Sequence, residues 1–211
     1  MKTYLIFDLD GTLISSYKQI NNIIYDYVVN NIDPELLDTV KYLVENNQWM
    51  SLKETFNKLI IDSKESEKHY QVVTKLIDSI DDEVKFFPWV INKIKELSKK
   101  YTLFLSTWNS DNFANHVLNQ WGIHDCFEKI LWSSYILKST QHIDELINYT
   151  WDENFSKQAI FIWDWQRDRE IAKNKNIDFI HIWTDNTDTY EIQSVSKIDE
   201  VLNKIINKWK R

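Results

Sequence analysis

Asp8 and Asp10 stand two residues apart at the end of an apolar run, Tyr4-Leu5-Ile6-Phe7, and Gly11-Thr12 follow at once. Carboxylates at this spacing can divide a reaction between them. One attacks as a nucleophile. The other protonates the leaving oxygen and then activates the water that cleaves the intermediate. Three further places carry compatible side chains. Ser106 and Thr107 close an apolar stretch, Lys138 precedes a helical pattern, and Asp164 and Asp168 lie one helical turn apart after the apolar run 158–163. Asp8, Asp10, Asp164 and Asp168 would repel one another if gathered. A divalent cation resolves the conflict, and hard carboxylate oxygens suit Mg²⁺. Hydroxyls and a lysine beside such a cluster suit phosphate oxygens.

The elements that must position these groups can be read from periodicity. Tyr4 to Asp8 reads as a strand buried on both faces. The next seventy residues carry helical stripes instead. The first is Ile20, Ile23, Ile24, Tyr27 and Val28, and the second Leu36, Leu37, Val40, Leu43 and Val44. Ser51 and Glu54 form a capping box ahead of Leu52, Phe56, Leu59 and Ile60, and Val73, Leu76, Ile77 and Ile80 form the fourth stripe. From Phe86 onward helices and strands alternate. Pro88 falls where a first helical turn tolerates proline. Strands are expected at 101–106, 127–131, 158–163 and 179–183, and an amphipathic helix, Ile198 to Trp209, comes last. The expected fold is α/β, a doubly wound, Rossmann-like and mostly parallel sheet, with an all-helical domain inserted after the first strand. The core comprises residues 1–14 and 85–211, and the insert residues 15–84. Open sheets of this kind bind ligands at the carboxyl ends of their strands, where all the residues named above fall.

The sequence resembles the haloacid dehalogenase-like hydrolases. Asp8-Leu9-Asp10-Gly11-Thr12-Leu13 resembles their first motif, Ser106 their second, Lys138 their third, and Asp164-Trp165-Gln166-Arg167-Asp168 with Ile171-Ala172 their fourth. The helical insert is similar to the cap of the phosphoglycolate-phosphatase-like subgroup. The resemblance implies a Mg²⁺-dependent phosphatase that passes through an aspartyl phosphate on Asp8. Asp10 would be the acid/base, with its main-chain carbonyl on the metal. Ser106, Thr107 and Lys138 would hold the phosphate. Asp164 would bind Mg²⁺ alongside Asp8, with Asp168 in support, and the cap would select a small phosphorylated substrate. Asp168 equally fits a first-turn carboxylate favoured by the helix dipole, and Asn109 fits either an assisting group or a turn asparagine. A phosphomutase of the same family and a catalytically impaired binding protein of the same fold are the alternatives. The identity of the substrate and the oligomeric state stay open.

Composition narrows the remaining classes. Apolar residues make up 43% of the 211 and charged residues 27%, with a net charge of −7. No basic stripe points to nucleic acid, and no run approaches a membrane span. Cys126 is the only cysteine, so no internal disulfide is expected. That, with an apolar N-terminal run too short for a signal peptide, fits a cytoplasmic protein.

The chain has 2 glycines and 10 tryptophans, where ~7% glycine would give roughly 15. Trp89, Trp132, Trp163, Trp165 and Trp183 stand where the resembled family has glycine or another small residue, or where a strand end must turn tightly. A gene from a lineage in which UGA specifies glycine, translated with a code in which UGA specifies tryptophan, yields this exchange. Trp121 and Trp209 fit helical apolar stripes and are expected to be genuine.

Overall fold

A computed structural model describes residues 3–46, 51–80, 84–133, 138–182 and 190–209, apart from the side chains at 46, 166 and 167. Trp183 lies outside these residues. The chain divides into two compact units, Met1–Ser15 with Lys85–Arg211, and Ser16–Val84.

The larger unit is built on a six-stranded sheet. Its strands are β1 (Tyr4–Phe7), β4 (Thr102–Thr107), β5 (Lys129–Trp132), β6 (Ala159–Trp163), β7 (Asp178–Ile182) and β8 (Glu191–Ile192), in the spatial order β5-β4-β1-β6-β7-β8. Every pairing in it is parallel. Taken in chain order the strands lie 3-2-1-4-5-6, the doubly wound arrangement whose direction reverses between β1 and β6. The expected α/β fold is therefore observed. A two-stranded antiparallel ribbon, β2 (Ile14–Ser15) with β3 (Lys85–Phe86), ends the two chain segments that enter and leave this unit.

β1 and β6 are buried along their whole length, as their unbroken apolar runs require. Alternate residues divide between the two faces. Tyr4, Ile6, Phe104, Phe161 and Trp163 pack in one cluster with Ile143, Leu146, Phe155, Ile171 and Ala172. Those partners come from α7 (Thr140–Thr150), α8 (Phe155–Gln158) and α9 (Gln166–Asn174). α5 (Val90–Leu97), α6 (Asp111–Gln120) and α10 (Asp199–Trp209) complete the unit, each burying an apolar stripe.

Among the described residues the smaller unit holds four α-helices, α1 (Tyr17–Asn31), α2 (Leu37–Asn46), α3 (Leu52–Leu59) and α4 (Ser63–Asp78). The expected stripes supply its buried side chains, among them Ile24, Val28, Val40, Phe56, Val73 and Ile77. The capping box at α3 is formed in both directions: Glu54 N–H donates to Ser51 Oγ at 3.2 Å, and Ser51 N–H to Glu54 Oε2 at 2.7 Å.

Among the described residues, two tryptophans adopt left-handed backbone. Trp89 has φ 68° and ψ −6°. It follows Pro88, and Val90 N–H donates to Phe87 O at 3.2 Å. This is a type II turn with proline at its second position and tryptophan at its third, where φ > 0 calls for glycine. The turn corrects the expectation that Pro88 opens a helix, because α5 begins only at Val90. Trp151 caps the C-terminus of α7 at φ 52°, ψ 27°, the site at which helices usually end in glycine. Trp165 differs. Its φ of −108° and ψ of 131° are open to any residue, so no backbone demand for glycine exists there.

Candidate active site

Asp8 emerges from β1 at the reversal point of the sheet. Its main-chain N–H donates to Ile162 O at 2.9 Å, which carries the β1–β6 ladder one residue past the strand. The register Phe7↔Leu105 and Phe7↔Ile162 then sets Asp8 level with Ser106 on one side and Trp163 on the other. The chain turns back immediately. Gly11 takes φ 70°, and Leu13 and Ile14 N–H groups return to Leu9 O at 2.8 and 3.1 Å. Leu9 and Leu13 are fully buried and anchor this loop.

Lys138 supplies a cation beside Asp8. Its Nζ lies 2.7 Å from Asp8 Oδ1 and 2.7 Å from Asp168 Oδ2, with no solvent exposure. Burial is the largest single influence on this ammonium and pushes its pKa down. The charges of Asp168 and Asp8, with their hydrogen bonds, outweigh it and hold the group above its ordinary value. Ser133 braces the approach. Its Oγ accepts from Lys138 N–H at 3.0 Å and donates to Thr107 O at 3.2 Å, which ties the ends of β4 and β5 to the lysine.

The other expected residues fall into three smaller groups. Thr12 Oγ1 donates to Asp164 Oδ1 at 3.2 Å, joining the loop after β1 to the end of β6. Asn109 Nδ2 donates to Asp10 Oδ2, and its amide groups also reach Thr107 Oγ1, both at 3.1 Å. Ser106 Oγ lies 2.9 Å from His142 Nδ1. Ser106 and Thr107 are neighbours on a strand, so they serve different sides: Ser106 faces α7 and Thr107 faces the turn holding Asn109. Asp168 belongs to the lysine rather than to an exposed first helical turn, since it is fully buried. The contacts of Thr12, Ser133 and His142 went unread in the sequence, and Asn109 was ambiguous there.

The donor set fits a hard divalent cation in its chemistry. Asp8, Asp10 and Asp164 stand on the two strand ends that flank the reversal point, and a neutral amide and a neutral hydroxyl meet Asp10 and Asp164. Among the described residues no three carboxylate, imidazole or thiol groups are already gathered as a cage. Mg²⁺ requires none, since it keeps several waters and takes one or two carboxylates.

Comparison with known proteins places the chain in a family. The family model of the haloacid dehalogenase-like hydrolases matches residues 5–182. The chain belongs to that family. It is thus an enzyme of the hydrolase class, and the matched span takes in all the residues of the site. Among solved structures, a candidate haloacid dehalogenase-like hydrolase from Bacteroides fragilis superposes with a TM-score of 0.79 at 16% identity, over 94% of this chain and 100% of that one. A candidate phosphoglycolate phosphatase from Lactobacillus plantarum gives 0.76 at 18%, over 95% and 99%. A haloacid dehalogenase-like family hydrolase from Streptococcus pneumoniae gives 0.74 at 21%, over 95% and 98%. At these identities the likeness establishes the shared fold. No curated protein matches the sequence. None of the helices among the described residues is long and apolar enough to cross a membrane.

Proposed function

We propose that this haloacid dehalogenase-like hydrolase is a Mg²⁺-dependent phosphatase of a small phosphorylated metabolite. The observation that carries the reading is the buried Lys138 ammonium 2.7 Å from Asp8, with Asp10 two residues further along the same loop. A carboxylate attacking a phosphate dianion meets charge repulsion, and an ammonium fixed beside it relieves this at no cost of reorganisation. Asp168 holds the ammonium in place. Asp8 Oδ forms a bond to phosphorus while the bond from phosphorus to the leaving oxygen breaks. Asp10, protonated, gives its hydrogen to that oxygen, and the dephosphorylated product leaves. A water then attacks the aspartyl phosphate and Asp10 takes its proton. Inorganic phosphate departs, with Asp8 and the acid form of Asp10 restored.

Asp8, the Asp10 carbonyl and Asp164 would hold Mg²⁺, with Asp168 in support. When bound, it supplies positive charge between these carboxylates and the phosphate oxygens. The helical unit Ser16–Val84 acts as the cap that selects substrate, in the cytoplasm. The name of the Lactobacillus plantarum protein makes phosphoglycolate one compound to include in a test. Phosphate release from a panel of phosphorylated metabolites should require Mg²⁺, disappear with a chelator and return on adding the metal back. Full activity after exhaustive chelation contradicts the metal role, and no release from any member contradicts the phosphatase reading.

A further inference from the structure

Ser106 and His142 form a buried pair that the reaction above leaves unused. Ser106 Oγ and His142 Nδ1 are 2.9 Å apart, and the two residues are 1% and 0% exposed. His142 lies in the first turn of α7. Its N–H donates to Ser139 O at 3.1 Å, and Ser139 Oγ accepts from Gln141 N–H at 3.2 Å, capping the helix. The same short run therefore delivers the Lys138 ammonium to Asp8 and the His142 imidazole to Ser106. The ladder sets Ser106 level with Asp8 on the neighbouring strand.

A serine hydroxyl has one hydrogen to give. If His142 Nδ1 is bare, it accepts that hydrogen, and Ser106 turns lone pairs toward any phosphate beside Asp8. If Nδ1 carries the proton, it donates to Oγ, and the serine hydrogen is left for a phosphoryl oxygen. Only the second arrangement favours an anionic substrate. We propose that His142 is a positioning residue, present as the Nδ1–H tautomer, that turns the Ser106 hydroxyl hydrogen toward the transferring phosphoryl group. This role rests on the phosphatase reading. It differs from that of a core histidine packed for stability, because its effect passes through one hydroxyl.

A double-mutant cycle separates the two. A hydrogen bond to a charged group is worth about tenfold to a hundredfold in rate, and Ser106→Ala should lower kcat/KM by that much. His142→Leu should cost about as much when Ser106 is present and nothing further when it is alanine. His142→Asn places an amide N–H near the Nδ1 position and should restore most of the activity. His142→Gln places it one bond too far and should not. Equal losses from His142→Leu in both backgrounds, or no loss at all, overturn the proposal. If the leucine variant does not fold, the asparagine and glutamine variants decide by the same comparison. Imidazole nitrogen NMR gives a reading independent of turnover: a protonated Nδ1 is expected, and a bare one overturns the proposal. Absence of hydrolysis by the parent protein overturns the phosphatase reading and the positioning role with it. Hydrolysis with an additive cycle overturns the positioning role alone.

Discussion

Lys138 is held between two carboxylates at full burial, so its removal leaves like charges facing each other away from water. Breaking a buried ion pair from one side costs about 3–5 kcal/mol, and Lys138→Met should lose that much in urea unfolding at neutral pH. Adding Asp168→Asn should recover part of it, because one uncompensated charge is gone. A single variant within about 1 kcal/mol of the parent would contradict the geometry, given that ordinary surface changes stay within about 0.5 kcal/mol. The pH dependence has a definite sign. The folded-state pKa of Lys138 is raised above the ordinary 10.5, so the stability from its pairing is fully present below 10.5 and is lost only as pH climbs through the folded value. Stability measured between pH 6 and 9 should therefore show no loss that Lys138→Met abolishes. Asp8 and Asp10 were legible in the sequence because they sit in one short motif; Asp168 had a second reading as a first-turn carboxylate, and Lys138 had only its place ahead of a helical pattern to mark it. The partners of the site residues were not legible. His142 is 36 residues from Ser106, and Asn109 is 99 from Asp10. Which face of a strand meets which helix depends on chain crossovers that local spacing does not encode.

At the scale of elements, the Pro88-Trp89 turn and the end of α7 place tryptophan where the backbone favours glycine. Left-handed φ costs a side chain with a Cβ roughly 1–2 kcal/mol, while glycine gives back part of that through its unfolded-state freedom. Trp89→Gly and Trp151→Gly should each stabilise by about 1 kcal/mol and raise Tm by about 2–4 °C. Both indoles are exposed and give up little packing. Trp209→Gly should do the opposite, since Trp209 ends helix α10 and its Nε1 donates to Asp178 Oδ2 on β7 at 2.6 Å. Codons read the same distinction: the decoding account expects UGA at 89, 132, 163, 165 and 183, the left-handed backbone at Trp151 adds 151, and UGG is expected at 121 and 209. UGG at the first group removes that account. Trp163 poses a problem of space instead. It is 1% exposed, stacks on His181 at 4.5 Å, and its Nε1 has no hydrogen-bond partner among the described residues. It also stands level with Asp8 on the adjoining strand. Replacing Trp163 and Trp165 together by glycine should raise phosphatase activity by tenfold or more, because misplacement by about 1 Å can cost roughly a hundredfold. A folded double variant no faster than the parent would show that both indoles suit the site. The long helices and the β1, β4, β5, β6 and β7 strands were readable from their apolar patterns, β5 starting two residues later than expected. The ribbon of β2 with β3 and the edge strand β8 were not, because two residues carry no period.

For the molecule as a whole, strand order decides where chemistry can occur. The reversal between β1 and β6 opens a crevice beyond their carboxyl ends, and Asp8 and Asp164 are the first residues beyond those ends. The alternation of elements after Phe86 made a doubly wound, mostly parallel sheet readable though not the order of its strands, while the helical insert marked where the chain leaves the sheet and returns. The insert's choice of substrate was not readable, because selectivity depends on a few side chains with no common motif. The central claim is that Asp8 carries the phosphoryl group. The direct measurement is rapid quenching during turnover of the best substrate with Mg²⁺, followed by mass spectrometry of the peptide containing Asp8. The account predicts one added phosphoryl group on Asp8 that forms and decays at rates compatible with kcat, and its loss together with turnover in Asp8→Asn. A phosphoryl group on another residue, or parent-like hydrolysis by Asp8→Asn, would contradict it.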